Sequence, residues 1–403
     1  MEMKPKFYRK VLKNGMTVIL EKRELPIVSV AFAVKNGGIN ESSKEKGISH
    51  FIEHMLYKGT PTRNSKKIAE EIERNGGELN GFTDEAITAY WCKMPSRHLD
   101  IALDVLSDMV KNPLFDKIEL EKERKVIFEE IKMRKDMPQI YSIDSIQTFL
   151  YGEPFGIPLI GTEETMNSIS REKIIEKFEE IYTPNNLVLC VVGDADFNKL
   201  CEFAEKKFGN KKGKVPQFKI KELNKIKIEK RKGIDQASLV FAYHVPSSKD
   251  KKSFAAEVLS VLMAGGMSSR LFSEIREKRN LAYAVKGAAN INRDYSYNLI
   301  YIGTTKENVE KVKELILKEF EEVSEELEEK ELKEVKEQII GNYNISMEDS
   351  QNQMANLLSY EIEGNAKEFY EFEEKIKAVK LEDVKKIAKS AKESYSFFAL
   401  IPN

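Results

Sequence analysis

The sequence predicts an α+β fold of two homologous α/β-sandwich-like halves, each a mixed, mainly antiparallel sheet with packed helices, the two facing across a cleft. Three observations predict it. At 403 residues the chain exceeds a typical single domain and suits two halves of about 200 residues each. In each half, runs of strands come before runs of helices, which favours α+β over a doubly wound parallel sheet. The order of elements then repeats after residue 232, with a terminal strand in each half, which reads as an internal duplication.

Taken in order, residues 16–22 and 27–35 are β-branched-rich runs separated by Glu24-Leu25-Pro26 and read as neighbouring strands. A helix is expected at about 46–58, ended by Gly59-Thr60-Pro61. Ser65 is placed as the cap of a charged helix to about residue 74. Asn75-Gly76-Gly77 breaks it before the strand Asn80-Gly81-Phe82-Thr83, with a partner strand at 86–93. Helices follow at about 96–111 and 116–135, the second capped by Asp116, then at 139–151 and 170–182. An apolar strand at 186–192 and a helix at 196–208 close the first half.

Residues 1–210 are thus the first half, 211–232 a linker, and 233–403 the second half. The second half reads as a strand at 237–244, helices at 251–264 and 270–278, and strands within 282–304. Five further helices follow within 306–391, and the chain ends in a strand at 396–401.

Composition excludes some functions. Charged residues make up 33% of the chain, above the usual level of about 25%. Lys+Arg (65) and Asp+Glu (66) nearly cancel, so a nucleic-acid surface is not indicated. The excess sits on Lys/Glu-rich helix faces such as residues 319–336, which read as solvated ion-pair networks. The N-terminus lacks the apolar core of a signal peptide, and no run of about 18 apolar residues occurs, so a cytoplasmic protein without a membrane segment is expected. Cys92, Cys190 and Cys201 are scattered and outside metal spacing, which fits a reducing compartment.

The stretch that carries chemistry is His50-Phe51-Ile52-Glu53-His54, holding two of the chain's four histidines. On a helix, side chains at i and i+4 share a face, so both imidazoles can reach one ion. Glu53 stands beside that pair, placed to reach a metal-activated water without being a ligand. The flanking Phe51, Ile52, Met55 and Leu56 would bury the helix, and unpaired imidazoles there would need partners. Zinc held by two histidines needs a third protein ligand and an open position. The helix at 116–135 offers Glu119, Glu121, Glu123, Glu129 and Glu130, and spacing alone does not choose among them.

This pentad resembles the inverted zinc signature of the pitrilysin-type metallopeptidases, the inverzincins. Similar segments run through both halves: Gly76-Gly77-Glu78-Leu79-Asn80-Gly81-Phe82-Thr83, Pro113-Leu114-Phe115-Asp116, Glu123-Arg124-Lys125-Val126-Ile127-Phe128-Glu129-Glu130-Ile131 and Gly265-Gly266-Met267-Ser268-Ser269-Arg270-Leu271. The resemblance is to the short, two-domain, mitochondrial-processing-peptidase-like branch. It implies Glu130, 76 residues beyond His54, as the third ligand of one Zn2+ per chain, and Glu123 as a supporting hydrogen-bonding acid.

It also implies that residues 80–83 are the edge strand that pairs with a peptide substrate. Gly81 departs from the family's usual alanine there, which leaves the strand's register less fixed. In the second half, Arg276-Glu277-Lys278-Arg279-Asn280-Leu281-Ala282-Tyr283 is similar to the family segment whose arginine and tyrosine reach the substrate near the scissile bond. A guanidinium and a phenol suit backbone carbonyls or a developing oxyanion. The Gly265-Gly266 region resembles a substrate-capture loop and reads equally well as a flexible turn.

The function implied is a zinc endopeptidase, in its simplest form a homodimer, with Glu53 as general base and Tyr283 and Arg276 as substrate contacts. Two alternatives stand beside it. One is a non-catalytic partner or structural subunit of a heteromeric processing peptidase. The other is a zinc hydrolase acting on a different amide.

Overall fold

A computed structural model describes residues 6–403. In chain order the first elements are β1 (Lys6–Val11), β2 (Thr17–Lys22), β3 (Ile27–Val34), α1 (Ile48–Leu56), α2 (Ser65–Glu73), β4 (Glu78–Thr83) and β5 (Thr88–Pro95). There follow α3 (Leu99–Lys111), α4 (Lys117–Asp136), α5 (Pro138–Leu150), α6 (Glu163–Ser168), α7 (Arg171–Ile181), β6 (Leu187–Gly193) and α8 (Phe197–Lys207). The rest are β7 (Ile226–Arg231), β8 (Ala237–His244), α9 (Ser253–Ala264), β9 (Ala282–Ile291), β10 (Ser296–Thr304), α10 (Val309–Glu326), α11 (Glu329–Ser346), α12 (Ser350–Glu363), α13 (Phe372–Lys377), α14 (Leu381–Glu393) and β11 (Ser396–Pro402).

The strands form a six-stranded sheet, ordered β1-β2-β6-β3-β5-β4, and a five-stranded sheet, ordered β7-β11-β8-β10-β9. Without β1 the two orders correspond position by position. Each sheet contains one parallel pair, β2 with β6 and β7 with β11, in an otherwise antiparallel ladder. The duplication expected from element order is therefore visible in topology.

Each central strand is apolar because it is covered on both faces. All seven residues of β6 are buried, and it sits between β2 and β3, so those two strands are consecutive in sequence but not paired. Edge strands are charged instead. β1 and β7 read Lys-Phe-Tyr-Arg-Lys-Val and Ile-Lys-Ile-Glu-Lys-Arg. Lysine-rich edges resist pairing with another chain, and the same charge hides them in the sequence as terminus and linker.

The chain forms two compact units. One comprises the described residues to Ile131, Leu159–Lys219 and Ser346–Phe369; the other comprises Lys132–Pro158, Ile220–Ile345 and Tyr370–Asn403. Each thus takes a helix from the far part of the sequence. In the first unit α12 packs on β6 and β3; in the second α5 packs on β11 and β8. Polar contacts mark the seat of α12: Gln353 donates to Glu21 at 2.5 Å, Ser29 and Ser350 share a hydrogen bond at 2.9 Å, and Arg9 forks onto the buried Glu361.

Among the described residues no helix is long and apolar enough to cross a membrane. The three cysteines are buried and unbridged, and burial pushes the Cys92 thiol up to about 12.

Candidate metal centre

α1 is a short helix with an apolar face of Ile48, Phe51, Ile52, Met55 and Leu56, all buried in the core of the first unit. That packing turns His50 and His54 toward a neighbour, α4, and Glu53 toward the end of β4. The imidazoles of His50 and His54 stand 4.6 Å apart between centroids at an interplanar angle of 67°. On α4, Glu123 and Glu130 are seven residues apart, two helical turns, so they share a face. The helices are tied together by Arg124 of α4, whose guanidinium lies 5.2 Å from the Phe51 ring centre. Its N–H edge donates to the carbonyls of Met166 and Ile169, anchoring α4 to the end of α6.

His50, His54 and Glu130 each present a donor atom within 4.8 Å of the others. Glu130 Oε2 lies 3.7 Å from His50 Nε2 and 3.7 Å from His54 Nε2. It is buried and accepts no hydrogen bond. The His54 ring is oriented by its other nitrogen, Nδ1, which stands 3.1 Å from Glu123 Oε2. A proton on Nδ1 donates to that carboxylate and leaves the Nε2 lone pair aimed at Glu130. A lone pair and a carboxylate oxygen facing each other repel unless a cation lies between them. Ligand atoms about 2.0–2.1 Å from a tetrahedral ion stand about 3.3–3.4 Å apart, close to the spacing here, so the residues present fit a zinc ion.

Glu123 is held by charge. Burial alone would raise its carboxyl, but hydrogen bonds from His54 and Lys58 outweigh it and hold the group below the usual range. Lys58 Nζ sits 2.5 Å from Glu123 Oε1. Lys58 lies just past the end of α1, four residues after His54, and nothing in the spacing of the pentad marks it as part of the site.

Glu53 has different surroundings. Its Oε2 accepts a hydrogen bond of 2.6 Å from Thr83 Oγ1 at the end of β4. Burial pushes its carboxyl above the usual range; the Thr83 bond and His54 pull it back, and Glu130 pushes it up further.

β4 is the last strand of its sheet, paired only with β5, so one backbone edge is open among the described residues. Asn80, Gly81, Phe82 and Thr83 all lie on it. A Cβ added at Gly81 would meet the Tyr57 hydroxyl at 2.4 Å, the Ala89 carbonyl oxygen at 2.9 Å and Glu53 Oε1 at 3.3 Å. The departure at Gly81 therefore has a physical reason. The Tyr57 phenol fills the space of the missing side chain, and its hydroxyl is buried without a hydrogen-bond partner.

Beyond α1, the loop at Gly59 (φ 131) is held by Asp108, which accepts hydrogen bonds from Thr60 at 2.6 Å, Thr62 at 2.8 Å, Arg63 at 2.9 Å and Asn112 at 2.8 Å. Those bonds outweigh burial and bring its carboxyl down to about 2. The cap of α2 is Asn64, whose side chain accepts from the Lys67 N–H, not Ser65, which is the first helical residue.

In the second unit, Arg276 lies in a π-helical turn, Phe272–Glu277, with its guanidinium 4.7 Å from the Phe272 ring centre. Tyr283 is the extra residue of a β-bulge: Gly303 of β10 pairs with Ala284 and Thr304 pairs with Ala282. A Cβ at Gly303 would fall 2.2 Å from the Tyr283 ring, so this glycine is the seat of the phenol. Tyr283 stays 52% exposed, with its hydroxyl 3.5 Å from that of Tyr301. Gly265 closes α9, and Gly266 adopts φ 128 in the turn that follows.

Fold and site together define a class: a duplicated α+β protein with a His-x-x-Glu-His helix and a glutamate on a neighbouring helix placed for one metal ion. The chain belongs to peptidase family M16. The model described as "Insulinase (Peptidase family M16)" matches residues 17–163, and that described as "Peptidase M16 inactive domain" matches residues 168–339. An uncharacterized zinc protease of Bacillus subtilis is 32% identical over 402 residues, 98% of each chain. One of Rickettsia felis is 34% identical over 331 residues, 80% of each chain. Among solved structures, a protease from Helicobacter pylori has the same fold, with a TM-score of 0.91 at 24% identity over 99% of this chain and all of that one.

Proposed function

We propose that this chain is a zinc-dependent endopeptidase that cleaves peptides or unfolded segments bound as an added strand along β4. The observation that carries the reading is the buried Glu130 Oε2, which accepts no hydrogen bond and faces Nε2 of both His50 and His54 at 3.7 Å. His50, His54 and Glu130 would hold the metal, and Glu123 and Lys58 would fix the tautomer and orientation of His54. Zinc, when bound, supplies a lowered pKa for water, toward about 7, and polarisation of the scissile carbonyl.

The remaining steps belong to the chain's own groups. Glu53, ionised, accepts the proton of the attacking water and passes it to the amide nitrogen as the peptide bond breaks. Thr83 holds Glu53 in place and marks the end of the substrate-pairing edge, so the base and the bound backbone are registered to each other by one hydrogen bond of 2.6 Å. An open edge recognises extended backbone through main-chain hydrogen bonds, which suits peptides better than compact amides. Arg276 and Tyr283 belong to the reading as contacts to the substrate backbone and the developing oxyanion. Homodimerisation and a cytoplasmic location are proposed with it.

The test is metal analysis joined to cleavage of a quenched peptide library. One zinc per chain, with cleavage lost on chelation and restored by zinc, is the expected result. Zinc binding without cleavage of any library member would refute self-sufficient endopeptidase activity and favour the partner-subunit alternative.

A further inference from the structure

The start of α1 is held by a carboxylate that the chemistry above does not use. Glu41 is wholly buried. Its Oε2 accepts from the backbone N–H of Gly47 at 2.9 Å and its Oε1 from that of Ser49 at 2.7 Å. Helices usually take this acceptor from a Ser, Thr, Asp or Asn at the cap position. Here the cap is Gly47, at φ 92, and a Cβ on it would lie 2.6 Å from the Ile160 carbonyl oxygen. A capping side chain therefore does not fit, and the acceptor comes from six residues upstream.

A buried carboxylate is a costly way to cap a helix. Lys46, itself wholly buried, offsets part of that cost: it attracts Glu41 electrostatically while its Nζ donates to the Gly38 carbonyl at 2.7 Å, although burial still leaves the Glu41 carboxyl above its usual range. The same turn is pinned from a third side, because Asn36 Nδ2 donates to Ser49 Oγ at 2.9 Å.

His50 follows Ser49 directly, and Glu53 and His54 lie one turn further. Whatever fixes the Gly47 and Ser49 amides fixes the rotation of α1, because the rest of its ladder follows from the first turn. A ligand atom sits about 5–6 Å from a helix axis, so about 10° of rotation moves it by about 1 Å. Metal–ligand distances are set to within about 0.2 Å.

We propose that Glu41 is the positioning residue of the metal helix: its carboxylate sets the angle at which His50 and His54 meet Glu130. The inference rests on the reading of those three residues as zinc ligands. The test compares wild type, Glu41→Gln and Glu41→Ala as zinc-free protein, titrated with zinc in competition with a chromogenic chelator, with thermal midpoints measured alongside. The amide keeps the shape and one of the two acceptors. The zinc dissociation constant is expected to rise at least tenfold in Glu41→Gln and further in Glu41→Ala, by analogy with the roughly 10–100-fold losses seen when supports of metal ligands are removed.

Asn64→Ala, which removes the cap of α2, controls for general loss of stability and should keep the wild-type affinity within about twofold. If Glu41→Ala does not fold, Glu41→Gln decides. Wild-type zinc affinity in a folded Glu41→Gln protein would overturn the assignment while leaving the zinc site intact. A wild type that binds no zinc would overturn both.

Discussion

Gly81 and Tyr57 share one side chain's worth of space, and a double-mutant cycle measures how much energy that sharing holds. Gly81→Ala places a methyl 2.4 Å from the Tyr57 hydroxyl and 2.9 Å from the Ala89 carbonyl oxygen. Ordinary contacts begin near 3.4 Å, so the phenol, strand β4 or both must shift. Overpacking of this kind costs about 1–3 kcal/mol. Tyr57→Phe removes the atom in the closest contact together with a buried hydroxyl that has no partner. Leaving such a group unsatisfied costs about 1–3 kcal/mol, so Tyr57→Phe alone should be neutral or stabilising by about 1 kcal/mol.

In the double variant the closest contact is gone while the Ala89 contact remains, which predicts a favourable coupling of about 1–2 kcal/mol. Urea unfolding of the four zinc-free proteins at pH 7 gives that term directly. The methyl also comes within 3.3 Å of Glu53 Oε1, so peptide cleavage should fall in Gly81→Ala and recover partly in the double variant. Additivity within about 0.3–0.5 kcal/mol would refute the shared-space account.

Other substitutions address the rest of the site. Glu123→Gln should weaken zinc binding about 10–100-fold, and Lys58→Ala by less, in the same direction, as read by chelator competition. Thr83→Val frees Glu53 from its hydrogen bond and should lower kcat with zinc stoichiometry unchanged. Asp108 has a folded-state pKa of about 2 against an ordinary value of 3.8. A depressed carboxylate stabilises fully above about pH 4 and loses that contribution as pH falls through about 2. Asp108→Asn should therefore cost on the order of 2 kcal/mol at pH 7 in denaturant unfolding, with the gap to wild type narrowing in that acid window.

Much of the fold is legible in the sequence because its inner strands and amphipathic helices carry clear periods. β3, β5, β6 and β8 are apolar runs bounded by turn residues, and α4 starts where Asp116 offers a cap. The elements that escape are those whose local signal is masked. β1 and β7 are edge strands studded with lysine, and α6 is only six residues long. Nothing local says that α5 and α12 pack with the far part of the chain, because contacts such as Arg9 to Glu361 are set by tertiary packing alone.

The site divides in the same way. His50, Glu53 and His54 are readable from spacing, whereas α4 carries five candidate glutamates and only a family resemblance singles out Glu130. The structure brings Glu130, and not Glu119, Glu121, Glu123 or Glu129, to both imidazoles. Glu41 has no sequence signal, since its partners are backbone amides across a loop.

The most direct test of the central claim is zinc content and peptide cleavage measured together on wild type and Glu53→Gln. About one zinc per chain is expected in both proteins, with cleavage in the wild type and its loss in the variant. Cleavage that survives in Glu53→Gln would contradict the assignment of Glu53 as the base. Absence of zinc from the wild type would contradict the metal centre itself.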